Sequence, residues 1–248
     1  MEHPAYALEV FQGHFGQSGL RRGRSFTCME LGPGDSLFSA VVAGAHGAIH
    51  THLVDDGSFA TSEVGAYRKL ADYLKLQGFN PPDLNGAPDV VAVLGICKAT
   101  YHVKGLESLR AIPTSSVDFI WSHAVLEHVR RAQVPAMAHE MRRVLRDEGI
   151  CSHQIDIRDH LGGALNNLRV PSAVWEREWM ARSGFYTNRL RRSEFIRIFE
   201  SAGFRAHIIR GEEWERSPIS RRSLASEFRG LTDEDLRIQD FLAVLRPA

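Results

Sequence analysis

Ser25-Phe26-Thr27-Cys28-Met29-Glu30-Leu31-Gly32-Pro33-Gly34-Asp35-Ser36 decides the reading of this chain. An apolar run, Ser25 to Leu31, has the length and composition of a buried strand and stops on two glycines. From Ser36 onward, Leu37, Phe38, Val41, Val42 and Ala45 recur at helical spacing. The glycines let backbone pass close to a ligand without a Cβ clash, and the helix start offers unpaired N–H groups at the same edge. A second strand, 48–54, ends on Asp55-Asp56, and Asp55 lies 21 residues beyond Gly34. A carboxylate there can accept hydrogen bonds from both hydroxyls of a ribose. Acidic residue, Gly-x-Gly, helix and acidic strand end together describe a nucleoside site at the carboxyl ends of the first two strands.

The same alternation continues outward. A helix carries Tyr67, Leu70, Tyr73 and Leu74 and stops at Gly78, and Asn80-Pro81-Pro82-Asp83 is a loop. Residues 89–96 suit a strand or a short buried helix, and the helix is favoured. Strands are expected at 100–104, 117–122 and 150–157. A helix is expected from Pro135 to Arg146, ended by Gly149. Residues 193–202 read as a helix closed by Gly203, and 204–210 and 241–246 as late strands. Segments 158–190 and 211–238 are long for plain connections; in α/β enzymes such segments build lids or substrate pockets. The expectation is a single domain, 1–248, with insertions at those two places.

Composition narrows the class. The 248 residues are 44% hydrophobic, enough for a full core. Thirty basic and thirty acidic side chains cancel, so no nucleic-acid partner is expected. Cys28, Cys97 and Cys151 form no CxxC pair and read as buried thiols of a reducing compartment. No apolar run reaches membrane-spanning length and no signal peptide is read at the N-terminus, so a cytoplasmic location is expected.

Which nucleoside the site takes is indicated by Leu37, which stands where the dinucleotide fingerprint has its third glycine. That argues against NAD and for a cofactor without phosphates. Glu30-Leu31-Gly32-Pro33-Gly34-Asp35-Ser36 resembles the first motif of the class I S-adenosylmethionine-dependent methyltransferases, with Ser36 replacing its last glycine. Leu53-Val54-Asp55-Asp56 resembles the second motif. Ser116-Val117-Asp118-Phe119-Ile120-Trp121-Ser122 resembles the fourth, followed by Ala124-Val125-Leu126-Glu127-His128-Val129. Arg143-Val144-Leu145-Arg146-Asp147-Glu148-Gly149-Ile150 is similar to the family's stretch before strand five. The resemblance runs from about Cys28 to Gly149 and implies a three-layer, Rossmann-like α/β fold. Its mostly parallel seven-stranded sheet has order 3-2-1-4-5-7-6 with one antiparallel late strand. It implies S-adenosyl-L-methionine as cofactor. Glu30 would then organise the methionine end, Gly32 and Gly34 would give backbone room beside Ser36, and Asp55, with Asp56, would hold the ribose. Leu106 would lie against adenine, and Ser122 with His123 would line the methionine side. The third motif usually carries an acidic residue that reads the adenine amino group, but here Gly105 stands there, leaving backbone groups or Glu107 for that contact.

Transfer to a hydroxyl needs a base, and histidine suits that task near neutral pH. His123, His128, His153 and His160 cluster after strands four and five. His128 is the first choice of base and His160 the second, with Asp156 orienting one of them. Taken alone, each histidine suits a hydrogen-bonded structural residue better than a pocket residue. Residues 124–128 also resemble the E-V-x-E-H stretch in which some O-methyltransferases bind a divalent ion, but Ala124 replaces the first glutamate and no metal is expected. Trp175 to Trp179 and Ser183 to Arg189 suit either a polar planar or sugar-like acceptor or an amphipathic helix with its loop. Arg191, Arg192, Arg221 and Arg222 suit solvated faces or an anionic acceptor. The reading is methyl transfer to oxygen of a small molecule or saccharide. Its rivals are a non-catalytic binding or scaffolding protein of the same fold and an NAD-linked oxidoreductase.

Overall fold

The computed structural model describes residues 3–248. Seven strands form one sheet in the order β3-β2-β1-β4-β5-β7-β6, the order implied by the family resemblance. The chain divides into two compact units.

The first unit holds residues 3–123, 140–152 and Pro247. It opens with α1 (Pro4–Ser18), which buries Ala7, Leu8, Val10, Phe11, His14 and Phe15 and ends on Gly19 at φ 73°. Sequence reading had no helix there. β1 (Phe26–Leu31) follows and is buried along its whole length, as befits a central strand covered on both faces. α2 (Phe38–His46) is apolar nearly all round and packs beside α1 and α3 (Val64–Leu76). Its Gly44 is required by packing: a Cβ there would sit 2.9 Å from Pro82 Cγ. β2 (Ala48–Val54), β3 (Ala99–His102) and β4 (Val117–His123) complete the parallel set, β1 pairing with β2 and β4, and β2 with β3. Residues 90–96 form α4 (Val90–Ile96), as favoured, capped by Asp89, whose carboxylate accepts the Ala92 N–H. α5 (Gly105–Ala111) comes directly after β3.

α6 (Val134–Val144) stops two residues short of the expected end, and β5 (Leu145–Asp156) begins at once. Two carbonyls of the last turn, Arg143 and Val144, accept the amides of Ser115 and Ser116, so partners outside the helix satisfy them. Gly149 is not the helix stop; it lies inside β5, where a Cβ would collide with the Leu145 side chain at 2.7 Å.

The second unit holds residues 124–139, 153–246 and Ala248. In it α7 (Ser172–Trp175) and α8 (Glu178–Ala181) are single turns, while α9 (Arg192–Ser201) ends before Gly203, at φ 91°. β6 (Phe204–Glu213) and β7 (Ile238–Pro247) are both longer than expected. They run antiparallel: Trp214 N–H bonds Arg237 O, and three residues back Gly211 lies against Asp240. The two long segments are not separate excursions. Leu165 and Leu168 from one pack with Ile219, Leu224, Ala225, Phe228 and Leu236 from the other in a single apolar cluster. Burial of these side chains provides the main driving force for ordering them.

Two arginines are internal struts in this unit. Arg191 is fully buried and donates to the carbonyls of Ile157, Asp235 and Ile238 at 2.8–3.1 Å. It belongs to neither the solvated face nor the anion contact expected of it. Arg189 lies over the rings of Trp175 and Phe228 and donates to Val170 O at 2.6 Å. Arg192 pairs with Glu234 at 2.6 Å, and Arg221 pairs with Asp233 on the exposed surface.

Candidate functional site

All ten residues assigned to the cofactor lie in the first unit, at or just after the carboxyl ends of β1 to β4. Gly32 and Gly34 have φ of 68° and 69°, the left-handed region in which a side chain is costly. Gly32 N–H bonds Val54 O at 2.7 Å, fixing the turn to the end of β2. Among the described residues, a Cβ on Gly34 would meet nothing within 4 Å, so they leave the space beside the loop open. Gly34 N–H donates to Asp55 Oδ2 at 3.0 Å, and Asp56 N–H donates to Asp55 Oδ1 at 2.9 Å. The carboxylate is thereby fixed at the glycine loop, and its remaining lone pairs can accept from two hydroxyls. Burial pushes the Asp55 carboxyl up, and these two N–H bonds oppose that shift.

Residues beyond β2 tie the loop down in turn. Asp35 O accepts the Thr61 N–H at 2.8 Å, and Tyr67 Oη accepts the Leu37 N–H at 3.2 Å. Ser36 is fully buried in this loop, and the helix starts at Phe38, two residues later than expected. Behind it, Glu30 is buried, Ser39 hydrogen-bonds its carboxyl, and Oε2 has no hydrogen-bond partner among the described residues. Burial, reinforced by Asp55, raises this carboxyl to about 8.

Gly105 meets the same place from β3. Its N–H bonds Asp55 O at 2.7 Å, and a Cβ on it would touch Asp56 Cβ at 3.4 Å. Its φ is 49°. The glycine that departs from the family motif thus occupies a backbone conformation a longer side chain takes only at a cost. Leu106 is next, half-buried in the first turn of α5, while Glu107 is exposed and 4.0 Å from Lys104. At β4, Ser122 is fully buried beside Leu31 in register, and His123 ends the strand.

The catalytic candidates lie together in the second unit. The His128 and His160 rings are 5.0 Å apart, centroid to centroid. His128 Nδ1 is 3.0 Å from Tyr186 O, and His160 Nδ1 is 3.2 Å from Gly184 O. A carbonyl only accepts, so in both rings Nδ1 carries the hydrogen and Nε2 the lone pair. Burial lowers the His128 pKa, which keeps the ring neutral near pH 7. Asp156 does not orient either histidine by a hydrogen bond. It forms a bidentate pair with Arg158 at 2.7–3.2 Å. Burial would raise its carboxyl, but the bonds from Arg158 outweigh that and hold it below the usual range. Carbonyls of the segment 184–186 do the orienting expected of Asp156. Asp159 is a loop cap, accepting the amides of Leu161, Ala164 and Asn166. His153 is fully buried and stacked on Phe199.

Two contributors escaped sequence reading. Asn188, fully buried, donates from Nδ2 to Leu126 O at 2.7 Å and to Val129 O at 3.0 Å, and its N–H bonds Glu127 O at 2.7 Å. It clamps the turn that carries His128. The signal was the Thr187-Asn188-Arg189 stretch, read as acceptor contact or as the loop after an amphipathic helix. Glu127 is buried; Oε1 accepts the Asp156 N–H at 3.3 Å, and Oε2 has no partner among the described residues. Burial lifts its carboxyl to about 8.

Residues 83–152 match the family described as "Methyltransferase domain". No curated protein matches the sequence. Among solved structures, a SAM-dependent methyltransferase from Methanosarcina mazei aligns with TM-score 0.55 and 15% identity over 96% of each chain. The YcgJ protein from Bacillus subtilis aligns with TM-score 0.51 and 14% identity over 98% of this chain and 99% of its own. A SAM-dependent methyltransferase from Archaeoglobus fulgidus aligns with TM-score 0.50 and 12% identity over 98% of this chain and 94% of its own. At such identities the structures speak for the fold, and the sequence match speaks for the domain. The strand order is that of the class I, Rossmann-like methyltransferase fold, and within it residues 83–152 match the methyltransferase domain.

Proposed function

We propose that the chain is an S-adenosyl-L-methionine-dependent methyltransferase that acts on a hydroxyl of a small molecule or saccharide, with His128 as general base. The observation that carries the proposal is the bond from His128 Nδ1 to the Tyr186 carbonyl, which leaves Nε2 as a neutral proton acceptor. The ring then takes the hydroxyl proton at Nε2 while Nδ1 keeps its carbonyl, so no partner is lost on charging. His160 sits beside it as a second acceptor, and the ionised Asp156 favours the imidazolium that forms. The cofactor supplies a methyl group on a sulfonium, already activated for displacement. Asp55 would hold its ribose, the loop at Gly32, Gly34 and Ser36 its backbone-facing side, and Glu30, Ser122 and His123 its methionine end. Leu106 would lie on the adenine, with Asp56 and Gly105 at the rim. Among the described residues, the open space at Gly34 and a Glu30 Oε2 without a hydrogen-bond partner fit such a ligand. Positioning then does much of the catalytic work.

We read residues 1–248 as one catalytic domain whose segments 158–190 and 211–238 set acceptor specificity. No helix among the described residues is long and apolar enough to cross a membrane. With three buried free thiols, that supports activity in the cytoplasm. The test is transfer of a labelled methyl group to phenolic, catecholic and monosaccharide hydroxyls. His128→Ala should lower kcat by about 10²–10⁴ and leave affinity for S-adenosylhomocysteine within about twofold. Unchanged kcat removes His128 as the base. Cofactor binding with no methylated hydroxyl in any class removes oxygen transfer.

A further inference from the structure

The turn that orients the two catalytic histidines carries an aromatic side chain between its two points of contact. Gly184 O holds His160 Nδ1 at 3.2 Å and Tyr186 O holds His128 Nδ1 at 3.0 Å. Phe185 lies between these two carbonyls in the chain, and it is 52% exposed. Its backbone is pinned: Tyr186 N–H bonds Ser183 O at 3.2 Å, and Phe185 N–H bonds Ser183 Oγ at 3.4 Å. Leu161 follows His160 directly and is 45% exposed, with its N–H bonded to Asp159 Oδ1 at 2.9 Å. Both histidines retain solvent-facing surface. Each therefore has a large, exposed apolar side chain within one residue of itself or of its anchoring carbonyl.

Polar side chains on the same two stretches already have partners. Asp156 pairs with Arg158, and Asp159 caps its loop. Tyr186 Oη donates to Glu176 Oε2 at 2.9 Å, and Ser183 Oγ donates to Met180 Sδ at 3.4 Å. A saccharide carries hydroxyls all round its ring, and each needs a partner once water is removed. A phenol carries one hydroxyl on an apolar plane.

We infer that the acceptor is an aryl hydroxyl whose ring lies on Phe185 and against Leu161, with its oxygen at His128 Nε2. The inference rests on His128 as the proposed base and narrows its substrate to one class. In the reaction the aryl oxygen bonds the methyl carbon of the sulfonium donor. The S–CH₃ bond breaks, its electron pair returns to sulfur, and the hydroxyl proton goes to His128 Nε2. Acidity agrees with this choice. Burial makes His128 a weaker base than free imidazole. A phenol releases its proton at about pH 10, as tyrosine does, and an alkanol only far above that, so the phenol is the better match.

The test offers the full chain phenol, catechol and naphthol on one side, and cyclohexanol and methyl glucoside on the other, with methyl-labelled S-adenosyl-L-methionine. The best aryl acceptor should exceed both alcohols in kcat/KM by about 100-fold or more. Phe185→Ala should raise its KM about tenfold, the worth of one aromatic contact, with kcat changed less than about threefold. Phe185→Tyr should restore KM. A readout without turnover puts S-adenosylhomocysteine in place of the donor. The aryl ring current should then shift the ring ¹H signals of His128 and His160, and Phe185→Ala should weaken that binding by the same factor. Methylation of either alcohol as fast as the aryl acceptors overturns the aryl class and leaves oxygen transfer standing. Unchanged KM and unchanged binding in Phe185→Ala overturn it as well. Full kcat in His128→Ala with a raised KM in Phe185→Ala supports the aryl class and removes only the base. Should no hydroxyl of either kind be methylated and no histidine signal move, both readings fall together.

Discussion

The glycine loop at residues 32–37 and the turn at 125–129 both come after a strand and both carry candidate chemistry, but they are held in different ways. The loop is fixed by neighbours from adjacent βα units: Asp55, Val54, Thr61 and Tyr67. The turn is fixed by Asn188, 62 residues beyond Leu126, and its histidine by Tyr186, 58 residues beyond. A short-range scaffold writes itself into spacing, because strand, turn and helix recur in order. A long-range clamp leaves no such pattern. The two halves of the chemistry should therefore fail differently when perturbed.

Arg191→Met should give the largest effect on stability and confine it to the second unit. It removes a charged donor from the carbonyls of Ile157, Asp235 and Ile238. Buried acceptors without a donor cost about 1–3 kcal/mol each, so a loss of about 3 kcal/mol is expected in urea unfolding. A loss under about 1 kcal/mol would mean the late segments do not depend on this strut. Gly34→Val addresses the first unit. The substitution meets the left-handed backbone at φ 69° and puts a branched side chain into open space beside Asp55. About 100-fold weaker S-adenosylhomocysteine binding is expected by calorimetry, of the order of 3 kcal/mol, against a smaller loss of about 1–2 kcal/mol in urea stability from the left-handed backbone. Stability falling as far as affinity would erase the contrast between the two regions.

Glu127→Gln gives a smaller effect with a definite pH dependence. The Glu127 carboxyl stands near 8 in the fold, well above its ordinary 4.5. Protonation is therefore favoured by folding. The stability this group contributes is complete below about pH 4.5 and is lost as pH rises toward 8. The amide carries no such penalty, so the variant should gain about 1–2 kcal/mol over the parent at pH 8.5 and almost nothing at pH 4.5. A gain independent of pH would show that Glu127 ionises without hindrance.

Much of the fold was legible, for reasons that particular elements make plain. β2 was bounded to the residue because Gly47 and Asp55 punctuate it. α4 was recoverable because seven residues with an Asp cap suit a helix better than an edge strand. α1 was missed: Gly13 and Gly16 weaken the helical signal, and its defining feature is a buried face that only packing reveals. The end of α6 was misplaced because Gly149 answers to the Leu145 side chain and not to a helix terminus. At the sites, Gly32, Gly34 and Asp55 could be named from spacing. Gly105 could be named as a departure, but its reason, a positive φ against Asp56, needed coordinates. The histidines could be named, whereas their carbonyl partners could not, since a main-chain acceptor has no residue type to recognise.

Asp55 is the residue on which the nucleoside site turns. Calorimetric titration of S-adenosylhomocysteine into the intact chain and into Asp55→Ala should show about 100-fold weaker binding in the variant, two charge-assisted hydrogen bonds to the ribose being lost. Equal affinity in the two proteins would contradict the placement of the nucleoside at the ends of β1 and β2.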